Sequence, residues 1–109
     1  MAFDDDAAER VRLALREQAE FTEKTMFGGL AFMVGDHMAV ALGDGKSLMV
    51  RVGKGGMDDA LARGAERMQM GERTMNGFVV VSVDELDDAD LDAWIGVGVG
   101  VASSLPPKG

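Results

Sequence analysis

The sequence predicts an α+β fold: an antiparallel sheet of about five strands with an N-terminal and a C-terminal helix packed on it. Three observations lead there. An amphipathic stretch follows three aspartates at the start, short apolar segments in the middle are cut by Gly-Asp and Asp-Gly pairs, and an apolar stretch of helical period precedes Pro106-Pro107.

The first helix is expected over about residues 5 to 20. Asp4 to Asp6 offer N-cap oxygens and favourable charge at a helix start, and Ala7, Val11, Ala14, Leu15 and Gln18 then fall near one face. From Phe27 the pattern changes to short segments, Phe27 to Val34, Met38 to Leu42, Leu48 to Val52 and Phe78 to Val83. Gly35-Asp36 and Gly43-Asp44-Gly45-Lys46 supply turns too short for a parallel crossover, so the first three strands form an antiparallel meander. A short helix is expected over 57 to 63, and Met68-Gln69-Met70 reads as one more short strand. In the last element Leu91, Trp94, Ile95, Gly98, Val101, Ala102 and Leu105 recur at helical spacing after an acidic lead-in. Gly96, Gly98 and Gly100 cost such a helix about 2 to 3 kcal/mol in total against alanine, which packing has to offset. The alternating Gly-Val run also fits a strand or loop; the continuing 3.6-residue period favours the helix.

A chain of 109 residues with 47% hydrophobic content can build one core, so residues 1 to 109 are read as a single domain. There is no cysteine, hence no disulfide framework, thiolate metal site or cysteine nucleophile, and a cytoplasmic location is the simplest expectation. No segment approaches the roughly 18 apolar residues of a membrane span. The net charge of −8 is placed unevenly: residues 1 to 20 carry six acids and three arginines, residues 84 to 109 six acids and one lysine, and the stretch between has seven of each sign. Such a surface repels phosphate backbones overall, and neither direct nucleic-acid binding nor membrane association is expected.

The stretches that suggest chemistry fall short of it. Gly45-Lys46-Ser47 resembles the end of a phosphate-binding loop, but position 40 is valine and the segment lies between two strands. The run from Gly96 to Val101 lacks the last glycine of a dinucleotide fingerprint. Asp88, Asp90 and Asp92 match the first ligands of a calcium loop, yet Ala93 and Val99 replace its glycine and its closing glutamate. His37 is the single histidine, so a two-histidine metal site cannot form. Asn76-Gly77-Phe78 lacks the basic residue and second aromatic of an RNA-binding strand. No catalytic residue, cofactor or metal is therefore assigned, and the nine methionines read as adaptable packing groups.

Met26-Phe27-Gly28-Gly29-Leu30-Ala31-Phe32-Met33-Val34, then Leu48-Met49-Val50-Arg51-Val52-Gly53, Met75-Asn76-Gly77-Phe78-Val79, Trp94 and Ser104-Leu105-Pro106-Pro107-Lys108 together resemble the TfoX N-terminal domain family. The resemblance implies an antiparallel sheet with flanking helices and a role like that of the bacterial competence regulator for which the family is named. That regulator continues into a second, C-terminal domain, whereas this sequence ends at Gly109. Asn76 replaces the usual lysine and Thr74 lacks the neighbouring proline, and the family supplies no catalytic residue to carry over.

Two functions from different classes follow. The first is a non-catalytic regulatory module acting through protein contacts, with an unidentified protein partner. The second is a small-molecule binder or weak enzyme with Arg51, Lys54, Arg67 or Arg73 as anion contacts. A homodimer is expected from counting faces: Phe27, Gly29, Ala31 and Met33, with Ala39 and Ala41, are apolar where a wet face should be polar. Phe27, Ala31, Met33, Ala39 and Ala41 are thus the candidate interface, unless the two terminal helices take opposite faces of the sheet.

Overall fold

A computed structural model describes residues 3–26, 29–43, 45–70 and 73–106. Helix α1 (Asp5–Arg16) leads into strands β1 (Thr22–Met26), β2 (Gly29–Val34), β3 (His37–Leu42) and β4 (Ser47–Arg51). After a 3-10 turn (Lys54–Gly56) come α2 (Met57–Ala62), the hairpin β5 (Glu66–Met70) and β6 (Arg73–Ser82), a second 3-10 turn (Val83–Glu85) and α3 (Asp88–Ser104). The six strands form one antiparallel sheet in the order β1-β2-β3-β4-β6-β5. The α+β expectation holds, with six strands in place of about five. The added strand is β1, whose Thr-Glu-Lys-Thr-Met sequence has no apolar alternation to betray it.

Each helix starts as its sequence requires. Asp4 caps α1 by accepting from the Asp6 N–H at 3.2 Å, and Asp87 caps α3 by accepting from the Asp90 N–H at 2.8 Å. Helix α1 stops at Arg16, earlier than its expected end near 20; its end tightens where the Gln18 N–H reaches the Leu15 carbonyl three residues back, an oxygen that also accepts from the Ala19 N–H.

All three helices cover the same face. Leu30, Phe32, Val40, Leu42, Leu48, Val50, Val79 and Val81 alternate along their strands toward a core shared with Ala7, Val11 and Leu15 of α1, Met57 and Ala60 of α2, and Leu91, Trp94 and Ile95 of α3. Helices α1 and α3 touch each other directly: Arg10 donates to the Val83 and Leu86 carbonyls at 3.0 and 2.9 Å, and Gln18 donates to the Asp92 carbonyl at 3.1 Å. The alternative in which the terminal helices sandwich the sheet is thereby excluded. Burying Leu91, Trp94 and Ile95 contributes about 1.5 to 3 kcal/mol each, more than the three glycines of α3 cost.

Gly98 is where α3 comes closest to the sheet. A Cβ there would lie 2.5 Å from the Ala39 carbonyl oxygen, so only glycine lets the helix sit at this height. Ala39 itself is the extra residue of a bulge: Phe32 pairs with Val40 and Met33 with Met38, which leaves Ala39 unmatched. A second irregularity follows Arg67, where β6 passes through Gly77 at φ +92° and its carbonyl accepts from both Val52 and Gly53.

Candidate interaction face

Among the described residues the opposite face of the sheet carries no helix. Because strand side chains alternate, the residues between the core positions line up there in register across all six strands. One row reads Lys24, Ala31, Ala41, Met49, Val80, Glu66 from edge to edge. A second row holds Thr22, Met33 and Met38 on one side and Arg51 and Phe78 on the other, joined where the Arg51 Nε–H donates to the Met38 carbonyl at 2.6 Å. Ala31 is fully buried beneath its larger neighbours, and Met33, Met38, Ala41, Met49, Phe78 and Val80 are half-buried. None of them belongs to the core under the helices.

Arg51 is the half-buried cation in the middle of this surface, with exposed Lys24 at its β1 edge. Its guanidinium lies over the Phe78 ring, 4.7 Å from the centroid, and burial holds its pKa below the ordinary value. It makes no ion pair with a described residue.

Of the expected interface residues, Ala31, Met33 and Ala41 share this face. Ala39 does not join them, because the bulge turns it under α3, where it is fully buried beside Val34 and Ala102. Phe27 lies outside the described residues. Three methionines, Met38, Met49 and Met33, supply much of the apolar surface, whereas Met57 alone among the methionine side chains that are described packs in the core. The sequence reading assigned methionine mainly to packing and left Met38, Met49, Phe78 and Val80 out of the interface; strict alternation about the Leu48–Val50 and Val79–Val81 pairs was the signal that places three of them.

The four proposed anion contacts do not form one cluster. Arg51 pairs with Phe78 and faces away from the helices; Arg67 pairs with Val79 and so sits on the opposite side of the sheet; Lys54 is exposed in the 3-10 turn. The Arg73 side chain lies outside the described residues.

The remaining motifs take structural positions. Lys46 pairs with Asp84 at 3.2 Å in the tight β3–β4 turn, where the Gly43 N–H meets the Ser47 carbonyl. The Gly-Val run is the middle of α3, and Asp88 at the start of α3 pairs with Arg10 at 3.1 Å. His37 Nε2 lies 2.6 Å from the Pro106 carbonyl, which only accepts, so this nitrogen carries the proton and ties down the end of α3. Among the described residues no group of three or more His, Cys, Asp or Glu side chains is arranged to hold a metal ion, and no helix is long and apolar enough to cross a membrane.

Comparison with known proteins agrees with the residues that frame this sheet. No curated protein and no solved structure matches the chain. The model of one family does, over residues 13–102, a span that runs from within α1 to near the end of α3 and takes in all six strands. The chain belongs to the TfoX N-terminal domain family.

Proposed function

We propose that this chain is a non-catalytic regulatory module that works in the cytoplasm through protein contacts and self-associates as a homodimer on the open face of its sheet. One observation carries the reading: among the described residues all three helices lie on one side, and the other side presents half-buried Met33, Met38, Ala41, Met49, Phe78 and Val80 with no described element laid over them. Apolar patches of this extent on a small protein mark contact surfaces. Membership in a family named for a competence regulator supports the regulatory part, and the placement of Arg51 and Arg67 on opposite sides of the sheet favours a contact surface over an anion pocket.

Sedimentation equilibrium over a range of micromolar concentrations tests it, with the average mass expected to rise from that of one 11.5 kDa chain toward that of two as concentration increases. Ala41→Glu places a carboxylate in the middle of the face and should return the mass to that of one chain with an unchanged circular dichroism spectrum. A wild-type mass that stays at one chain across the range refutes the homodimer.

A further inference from the structure

The open face has a polarity of its own. The row Lys24, Ala31, Ala41, Met49, Val80, Glu66 begins with a cation on β1 and ends with an anion on β5, and neither residue makes an ion pair with a described residue. Both are exposed. The row also changes in size from one half to the other, with alanine on the β2 and β3 side and methionine and valine on the β4 and β6 side.

We infer that a second copy of the chain seats on this face about a two-fold axis running along the strands between β3 and β4. This rests on the homodimer reading above and adds its geometry. Aligned packing of two copies of one face, with the strands of both running nearly parallel, requires a two-fold axis either along the strands or across them. The axis along the strands lays β1 over the partner's β5 and β3 over the partner's β4. Lys24 then meets the partner's Glu66 at both ends of the interface, the partner's Val80 lies over the recess at fully buried Ala31, and Ala41 faces the partner's Met49. Small residues receive large ones, as interdigitating sheet faces require. In the second row Met33 comes to the partner's Phe78, a thioether against an aromatic edge. Arg51 spans from its own Phe78 to the Met38 carbonyl beside the axis and comes against the partner's Met38 on the facing strand.

The axis across the strands does the reverse. It stacks Lys24 on the partner's Lys24, Glu66 on the partner's Glu66 and Met49 on the partner's Met49, while the alanines face one another over a gap. Like charges opposed in this way weaken association.

The face also sets the strength of the contact. Six strands about 4.8 Å apart and about five residues long span roughly 24 by 17 Å, on the order of 400 Å² of projected sheet per copy. That is the size of a weak interface, so the dimer is expected to dissociate in the micromolar range.

Sedimentation equilibrium of Lys24→Glu, Glu66→Lys and the double variant provides the test. Each single reversal alters two cross-copy pairs at once and should weaken the dimer by about tenfold or more, an effect that shrinks with added salt. The double variant carries the swapped charges on both copies and should recover to within about threefold of the wild type. A dimer split by Ala41→Glu but indifferent to both single reversals, or one that the double variant fails to restore, overturns the strand-parallel axis and leaves the face reading standing. A wild-type chain that is monomeric throughout removes both.

Discussion

Replacing Gly98 by alanine should destabilise the protein, although alanine is the better helix former. The propensity gain is about 1 kcal/mol. Against it, the new methyl carbon would start 2.5 Å from the Ala39 carbonyl oxygen and 3.0 Å from the Val40 Cγ1. A comfortable C···O approach is about 3.3 Å, so α3 has to lift from β3 by several tenths of an ångström, or the bulge that carries Ala39 has to move. Either change loosens Ile95 and Ala102, which pack on the same side of the helix. Overpacking of this kind costs about 1 to 3 kcal/mol, and a net loss of up to about 2 kcal/mol is expected. Gly100 provides the control: a Cβ there has nothing within 4 Å, and Gly100→Ala should gain about 0.5 to 1 kcal/mol. Urea unfolding followed by the fluorescence of Trp94, the single tryptophan and a buried one, reads both. The variants should fall on opposite sides of the wild-type midpoint, Gly98→Ala below and Gly100→Ala above. A Gly98→Ala midpoint at or above that of the wild type would show that α3 does not rest on β3 at this residue.

Two further expectations concern Arg10 and the charge of the chain. Arg10 is half-buried and its guanidinium joins α1 to the Val83 and Leu86 carbonyls, so Arg10→Ala should cost about 1 to 3 kcal/mol in urea unfolding. Arg10→Lys should recover less than half of that, because one ammonium cannot reproduce the planar fork that reaches both carbonyls; full recovery would reduce the role to simple charge. Purified protein should not retard DNA or RNA in a gel at physiological salt, and micromolar binding that fades steeply with added salt would contradict the reading of its charge.

Much of the architecture was legible because glycine and aspartate punctuate it. Gly35-Asp36 and the Gly43–Ser47 turn define the meander, and the pairs Leu48/Val50 and Val79/Val81 show which side of their strands is core. What escaped is what tertiary context decides. Strand β1 is almost wholly polar and becomes a strand only because β2 offers it a free edge. The bulge at Ala39 leaves no trace in an apolar run, yet it turns one residue from the outer face to the inner and creates the seat for Gly98. The side taken by each helix is likewise unreadable from amphipathicity, which reports that a stripe is buried but not against which surface. Arg51, Met33 and Ala41 could be named from the sequence, whereas their neighbours across the sheet, Phe78 and Val80, needed the β4–β6 pairing to join them.

The direct packing of α1 on α3 has an electrical consequence. Arg10 meets residues 83 to 88 while Gln18 meets Asp92, so the two helices run side by side in the same direction. Their macrodipoles therefore add rather than cancel, and the positive ends of both emerge together. The chain's acid, which the sequence divides between its two termini, converges on that one pole: Asp4, Asp5 and Asp6 from the first helix, Asp84, Glu85, Asp87, Asp88 and Asp90 from the approach to the last. Lys46, pairing with Asp84, and Arg10, pairing with Asp88, are the cations that meet it there. One end of a molecule some 30 Å across is thus densely acidic, a field that favours the approach of a cationic neighbour from that side.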